Sequence, residues 1–195
     1  MSTADAAATG TREKLIEAAI TLMRRSGLSG AGINEIVRES GAPKGSVYYF
    51  FPGGKRQIVE EGLTRYSARV VAFIDSALAS KRKPGEKVAA LFNAYAERIE
   101  LGEFRHSCPV GTVCLDLDSS LEDLRFVAAA AFDEYLKAIE AHFPFKDRRR
   151  ARSFAGLLLT AIEGAYVRGR ADASSKPFRE AGAWLAELVE RAGAK

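Results

Sequence analysis

Residues 33–55 read INEIVRESGAPKGSVYYFFPGGK, and this stretch decides how the rest of the chain is interpreted. The first eight residues have the apolar spacing of a short amphipathic helix, with Ile33, Ile36 and Val37 on one face. A Gly-containing turn follows, and a second short helix, predicted over residues 44–51, ends in aromatic residues. Two short helices joined by a tight turn are typical of a helix-turn-helix, which inserts its second helix into the DNA major groove.

The turn at residues 40–43 has the residue types that a sharp reversal needs. Gly41 adopts positive φ at little cost, and Pro43 fixes φ without needing an amide donor. Lysines suit phosphates, small residues allow a close approach to DNA, and tyrosine hydroxyls suit phosphates or base edges. The residues predicted to contact DNA are Asn34, Lys44, Gly45, Ser46, Tyr48, Tyr49 and Lys55. Phe50 and Phe51 are expected instead to close the small core.

Positive charge is concentrated in the same region. Residues 1–56 carry eight Lys/Arg and five Asp/Glu, whereas residues 57–195 carry 21 and 20. A local excess of positive charge favours binding to phosphates, although chance clustering of a few charges is an alternative explanation. Together with the lysine and tyrosine arrangement, it favours DNA binding over two short packed helices without a DNA role.

The remainder of the chain is predicted to be helical throughout. Apolar residues recur at helical spacing over about residues 11–26, 55–79, 85–101, 121–143, 147–170 and 177–192, with one short helix around Pro109. No stretch alternates convincingly with a period of two, so strands are not expected. We therefore predict an all-α fold of about nine helices, in which an N-terminal three-helix helix-turn-helix domain precedes a larger helical domain.

The domain boundaries are predicted from the same patterns. Residues 1–10 are interpreted as a disordered tail, residues 11–56 as the DNA-binding domain, and residues 57–195 as the larger domain. The tail lacks the layout of a signal peptide, and no apolar run approaches the roughly 20 residues that span a bilayer. We therefore expect a cytoplasmic protein that makes no contact with a membrane.

The order and spacing of these elements resemble those of a known family. SGAPKGSVYYFFPGGK is similar to the signature of the TetR family of repressors, and the resemblance extends over residues 11–60. The Ala-Pro turn, the Pro-Gly-Gly-Lys run and the stretch HSCPVGTV at residues 106–113 resemble a narrower subgroup that responds to lincomycin-like drugs and flavonoids. Two residues depart from the family pattern: Gly32 stands where Thr or Ser is common, and Phe50 where many members have His.

The resemblance implies a homodimer that binds a palindromic operator on double-stranded DNA. It also implies that residues 57–195 form a ligand-binding and dimerisation domain. The last two helices carry wide apolar faces, which paired helices from two subunits would bury, while packing within one subunit is the alternative. The residues predicted at this interface are Phe154, Leu158, Ala161, Ala165, Trp184, Leu185 and Leu188.

An effector site is expected between the fifth and eighth helices, lined by aromatic side chains and a few polar groups. The residues predicted to line it are Phe92, Tyr95, Phe104, His106, Phe126, Phe132, Tyr135, Glu163 and Tyr166. For each aromatic residue taken singly, ordinary core packing is the alternative. Tyr95, His106 and Tyr166 are favoured, because a buried polar atom needs a partner. The interpretation is therefore a repressor that a small apolar or aromatic molecule releases from its operator.

Other chemistries have less support in the sequence. Cys108 and Cys114 lack metal-binding spacing, and six residues of helix would hold them too far apart for a disulfide, so two free thiols are expected. No acidic residue lies at a spacing that would complete a triad with His106 and Cys108. We therefore expect no catalytic residue, no metal and no cofactor. A small helical enzyme using His106 and Cys108 remains an alternative, as does a DNA-binding regulator without a small-molecule ligand.

Overall fold

A computed structural model of the chain describes residues 3–79, 83–143, 145 and 147–193, and these residues form nine α-helices and no strands. The helices are α1 (Thr3–Gly30), α2 (Ile33–Ser40), α3 (Lys44–Phe50), α4 (Gly54–Ala79), α5 (Pro84–Leu101), α6 (Pro109–Cys114), α7 (Glu122–Ala141), α8 (Arg148–Ala171) and α9 (Lys176–Gly193). The prediction of an all-α fold is confirmed. None of the helices in this part of the chain combines the length and the apolar character that a membrane span requires.

The helices fall into two compact units. The first unit contains Met1–Tyr66 and Pro109–Ala131, and the second contains Ser67–Cys108 and Phe132–Lys195. The first unit therefore combines the helix-turn-helix with α6 and the first half of α7, which the sequence had assigned to the larger domain. α4 and α7 each contribute residues to both units.

α1 is the central helix of the first unit and packs on α2, α3 and α6. Its apolar stripe is buried as the spacing predicted, with Leu15, Ala19 and Met23 fully enclosed. The helix begins at Thr3, earlier than the predicted start, so the predicted tail is helical from that residue onward. Residues 1 and 2 of the predicted tail lie outside the described residues.

The helical backbone of α1 is interrupted at Gly27, and the segment around Asp116 packs against α1 at this position. The Gly27 φ of 70° lies in a region that L side chains rarely adopt, and a Cβ there would lie 2.7 Å from the Oδ2 atom of Asp116. The same oxygen accepts a hydrogen bond from the Ser29 amide at 2.8 Å. The Thr112 hydroxyl also donates to the Met23 carbonyl oxygen at 2.7 Å. These contacts attach α6 and the loop after it to the C-terminal end of α1.

The second unit is built on α5, which packs mainly on α9 and also contacts α8. The predicted apolar positions of α5 are buried, among them Val88, Phe92 and Ile99. α9 approaches closely at Gly182, where a Cβ would lie 2.5 Å from the Cβ of Phe92. A glycine at this position therefore allows the two helices to pack without a side chain between them.

Candidate nucleic-acid interface

The turn between α2 and α3 has the geometry that its sequence predicted. Gly41 ends α2 in the left-handed conformation, with a φ of 65°. The Ser40 hydroxyl donates to the Val37 carbonyl oxygen at 3.1 Å and accepts the Ala42 amide at 3.2 Å. Pro43 then precedes the first residue of α3 in an extended conformation. These local bonds fix the point at which α3 starts relative to α2.

α3 has one buried face and one exposed face. Val47 and Phe51 are fully buried, which directs the neighbouring Tyr48 and Tyr49 outward with 58% and 77% of their surface exposed. Phe50 is only half-buried and contacts the Tyr49 ring edge-on, so Phe51 closes the core and the prediction that both phenylalanines do so is wrong. Two large aromatic side chains on seven residues of helix are therefore available to a partner.

The residues around these tyrosines leave the start of α3 accessible. Lys44 and Gly45 are exposed, and nothing lies within 4 Å of the position that a Cβ on Gly45 would take. Ser46 is partly buried, and Asn34 is exposed on α2. Lys44 supplies an exposed cation, and Gly45 has no side chain that would hold DNA away from the first turn of α3. This arrangement allows a phosphate backbone to approach closely.

Lys55 does not belong to this exposed face. Its ammonium group donates to the Leu28 carbonyl oxygen at 2.6 Å, and the side chain is partly buried. Burial lowers the pKa of Lys55, while the nearby Asp116 carboxylate opposes that shift. The structure therefore directs this ammonium group toward the end of α1, which the prediction of a phosphate contact did not anticipate.

A cluster of aromatic rings lies in the second unit. The Tyr95 ring contacts Phe73, Tyr166 and Phe178, with centroid separations of 5.0, 5.9 and 6.3 Å. Tyr166 and Phe178 are themselves 5.1 Å apart in an edge-on arrangement. The two tyrosines were predicted to line an effector site, whereas Phe73 and Phe178 were not, although both lie at apolar positions of their own helices.

Eight of the nine residues predicted to line an effector site lie in the second unit, and Phe126 is the exception. It belongs to the first unit, is 59% exposed and packs against the Arg125 guanidinium, so it is not part of the aromatic group of the second unit. The buried members are Phe92, Tyr95, Tyr135 and Tyr166, and the partly buried members are Phe104, His106, Phe132 and Glu163. Phe104 has a φ of 59°, which is unusual for a bulky residue.

Glu163 is the acidic member of this group and lies one helical turn before Tyr166 on α8. Burial raises the pKa of Glu163 to about 7, and a hydrogen bond from the Cys108 thiol opposes that rise. Cys108 is buried and Cys114 is partly buried, and both are free thiols as predicted. A carboxyl group of this kind can accept or donate a hydrogen bond near neutral pH.

The predicted dimer residues divide between two faces of α8 and α9. Leu158 and Ala165 are buried within the chain, so their assignment to a subunit interface was wrong. Phe154, Ala161 and Leu185 are partly exposed, and Trp184 and Leu188 are exposed, with 72% and 48% of their surface accessible. Two further apolar residues of α8, Leu157 and Val167, are exposed but were not among the residues predicted at the interface. Among the described residues, no group of three or more His, Cys, Asp or Glu could hold a metal ion.

Two family models match the chain. The model described as bacterial regulatory proteins of the tetR family matches residues 15–61, which include α2 and α3. The model described as the C-terminal domain of LmrA/YxaF-like transcriptional regulators matches residues 84–183, about half of the chain.

Curated relatives match over nearly their full length. The chain is 28% identical over 182 residues to the HTH-type transcriptional regulator LmrA of Bacillus subtilis, covering 92% of this chain and 97% of the relative. It is 29% identical over 189 residues to the uncharacterized regulator YxaF of the same organism, covering 93% and 96%. An uncharacterized HTH-type regulator of Mycobacterium tuberculosis is 29% identical over 194 residues, covering 93% and 98%.

Solved structures share the fold. The regulatory protein TetR from Rhodobacter sphaeroides has a TM-score of 0.80 at 18% identity, covering 90% of this chain and 96% of that one. A TetR regulator from Chloroflexus aurantiacus has a TM-score of 0.76 at 24% identity, covering 94% and 96%. A cysteine mutant of CifR, whose structure includes 26-bp operator DNA, has a TM-score of 0.77 at 17% identity, covering 90% and 95%.

Proposed function

This chain belongs to the TetR family of bacterial regulatory proteins and has an LmrA/YxaF-like C-terminal domain, and from that premise we propose that it is a homodimeric repressor which a small apolar or aromatic effector releases from a palindromic operator. The family consists of DNA-binding transcriptional regulators, so the chain is such a regulator and not an enzyme. The observation that carries the finer proposal is the exposed face of α3, where Lys44, Tyr48 and Tyr49 meet solvent.

The DNA contacts are proposed for the exposed parts of α2 and α3. Lys44 would pair with a phosphate, and the tyrosine hydroxyls would donate to phosphates or to acceptors on base edges. The absence of side-chain bulk at Gly45 supports a close approach of the α3 N-terminus to DNA. The proposed contact residues are Asn34, Lys44, Gly45, Ser46, Tyr48 and Tyr49. Lys55 is left out, because its ammonium group already donates to the Leu28 carbonyl oxygen.

The subunit interface is proposed for the exposed apolar residues of α8 and α9. Trp184 and Leu188 follow each other by one turn on α9, and Leu157 and Val167 lie on α8. Two helices from each subunit would bury these side chains in a four-helix arrangement. Phe154, Ala161 and Leu185 are partly exposed and are proposed to contribute to the same interface. Two-fold symmetry would then place two recognition helices on half-sites roughly 34–36 Å apart, or a multiple of that distance.

The effector site is proposed for the aromatic group of the second unit. Apolar rings with a few polar groups suit a flat aromatic molecule. Tyr95 and Tyr166 supply ring faces and hydroxyl groups, and Glu163 supplies a carboxyl group that can hydrogen-bond to a polar substituent of the effector. The remaining proposed residues are Phe92, Phe104, His106, Phe132 and Tyr135.

Release from DNA is proposed to act through α4, which is a single continuous helix with residues in both units. The effector would bind more tightly to a conformation in which α4 is tilted, and this tilt would move the recognition helices away from the spacing of successive major grooves. The shift in population cannot exceed the ratio of the effector's affinities for the two conformations. A weakly discriminating effector would therefore leave most of the operator occupied.

A footprint of the purified protein on the intergenic DNA beside its own gene tests the proposal. We expect protection of an inverted repeat at low salt, because phosphate contacts are then strongest. A Lys44→Ala, Tyr48→Ala double variant should lose that protection while keeping the wild-type melting temperature, because both side chains are exposed.

Two further results would decide the finer points. Protection that persists in the double variant would contradict the assignment of α3 as the recognition helix. Protection of an inverted repeat that no apolar or aromatic compound in a screen can relieve would favour a regulator without a small-molecule ligand.

A further inference from the structure

A cleft of about 450 Å³ lies within the first unit, and none of the contacts proposed above uses it. Its walls come from the end of α1, the start of α4, the segment between α6 and α7, and the first turn of α7. Leu28, Leu121 and Leu124 line it with apolar surface, and its size lies within the range of small-molecule sites. The lining therefore combines three leucines with Ser29 and three charged residues, Lys55, Arg56 and Asp116.

Lys55 supplies the distinctive charge of this cleft. Its ammonium group is partly buried, and its hydrogen bond to the Leu28 carbonyl oxygen uses one of three N–H donors. Asp116 also lines the cleft and its carboxylate attracts the Lys55 ammonium group, but one of its oxygens already accepts a hydrogen bond from the Ser29 amide. The ammonium group therefore has a neutral carbonyl as its nearest partner.

Arg56 adds a second cation to the lining. Its guanidinium group pairs with Asp123 at 3.0 Å and donates to the Ser120 carbonyl oxygen at 3.2 Å. Asp123 is not part of the lining, so the cleft itself presents two cations and one carboxylate. A partly desolvated cation with a neutral partner gains most from an anion, because a direct ion pair replaces the water it has lost.

We infer that this cleft is a binding site for a small monocarboxylate with a hydrocarbon body, distinct from the effector site proposed in the second unit. The carboxylate oxygens would accept hydrogen bonds from Lys55 and Arg56, and the hydrocarbon would lie against the three leucines. Lys55 was predicted to contact a DNA phosphate, whereas in the structure it lines this cleft.

Sodium octanoate is the probe for the first test, with amide chemical shifts of the uniformly ¹⁵N-labelled full-length protein as the readout. We expect octanoate to shift the amide resonances of Ser29, Arg56 and Asp116 in a saturable way, because these three residues line the cleft. Octan-1-ol, which has the same chain without the charge, should produce these shifts only at concentrations at least about tenfold higher, since hydrogen bonds to charged groups are the stronger kind.

Substitutions at Lys55 isolate the charge. Lys55→Met should weaken octanoate binding about tenfold or more, whereas Lys55→Arg, which keeps the cation, should stay within a few fold of wild type. Lys14→Met removes an exposed lysine from α1 of the same unit and should leave the affinity unchanged. Far-UV circular dichroism of each variant checks that the fold is kept.

Absence of shifts at the three amides would overturn the proposal, as would an octanoate affinity that Lys55→Met leaves unchanged. Equal binding of octanol and octanoate would show an apolar cleft without anion recognition, which also contradicts it. Because no DNA or effector enters the test, these outcomes are separate from those of the operator footprint.

Discussion

The tyrosines of α3 differ from those of the aromatic cluster in the second unit in how far solvent reaches their rings. On α3, Tyr48 and Tyr49 are 58% and 77% exposed, whereas in the second unit Tyr95 and Tyr166 are 5% and 2% exposed. A helix of seven residues can bury only one face, and Val47 with Phe51 occupy the buried face of α3. The long helices of the second unit pack on several neighbours and enclose their rings.

The role of an aromatic residue therefore depends on the length and packing of its helix. Exposed aromatic rings leave apolar surface in water, so two of them side by side indicate a surface for a partner. Buried tyrosine rings contribute packing, and each also buries a hydroxyl group. Because a buried hydroxyl group needs a hydrogen-bond partner, the residues around it must supply one. Removing each kind of ring should therefore affect different properties of the protein.

The largest effect is expected for Tyr166→Ala. Its ring contacts Tyr95 and Phe178, so truncation should lower the free energy of unfolding by about 3–5 kcal/mol, the usual range for a large buried aromatic side chain. Denaturant unfolding at one protein concentration measures this free energy. Tyr49→Ala truncates an exposed ring and serves as the control, with a free energy of unfolding expected within about 0.5 kcal/mol of wild type. A loss below about 1 kcal/mol for Tyr166→Ala would mean that the cluster is not packed as described.

The second prediction concerns Glu163 and the dependence of the free energy of unfolding on pH. The folded protein holds the Glu163 proton more tightly than the unfolded chain, because burial raises the pKa from 4.5 to about 7. Its contribution to stability is therefore complete below pH 4.5 and is lost as pH rises toward 7, by up to about 3 kcal/mol.

A glutamine at this position stays neutral at every pH, so Glu163→Gln should remove this part of the pH dependence of the free energy of unfolding. Unfolding free energies of both proteins between pH 4.5 and pH 8 provide the comparison. Parallel curves would show that Glu163 keeps an ordinary pKa, and the proposed hydrogen bond to an effector would then lose its support.

A third prediction concerns Trp184, an exposed aromatic residue of the second unit. If two copies of α8 and α9 pair, Trp184→Ala should raise the dimer dissociation constant by roughly 30-fold, since a central tryptophan contributes about 2 kcal/mol or more to an interface. Sedimentation equilibrium measures the constant, and Tyr49→Ala serves as a control that removes an exposed ring outside the proposed interface. An unchanged constant would place the interface elsewhere.

The smallest effect isolates one oxygen atom on α3. Tyr48→Phe keeps the ring and removes the hydroxyl, so operator affinity should fall about three- to tenfold, corresponding to about 1 kcal/mol for one hydrogen bond. Fluorescence anisotropy on a labelled operator at fixed salt measures it, with no change in melting temperature. If the affinity of Tyr48→Phe equals that of wild type, Tyr48 contacts DNA through its ring alone or not at all.

Much of the fold follows from the sequence because the local signals agree. The bounds of α2 match the prediction, and Gly41 takes the positive φ that its place after Ser40 indicated. Val47 is fully buried, since one face of a short helix must close the core. These features depend on neighbours close in sequence, which periodicity and turn residues describe well.

The sites were harder to predict because they depend on which of two apolar faces meets the core. α8 has apolar residues all around, so spacing alone could not decide that Leu158 and Ala165 face inward while Leu157 and Val167 face outward. The exposure of Phe126 and the turn of Lys55 toward Leu28 depend on segments far apart in sequence. No local pattern reports such contacts.

The interrupted course of the chain through the first unit has a consequence for recombinant regulators. If sensor regions were exchanged between relatives at one junction after Tyr66, Pro109–Ala131 would be separated from the helices they pack against. The graft would then lack Thr112 at the Met23 carbonyl and Asp116 at the bend of Gly27. A working hybrid therefore needs three junctions, after residues 66, 108 and 131. The segment Pro109–Ala131 must then come from the same parent as the helix-turn-helix.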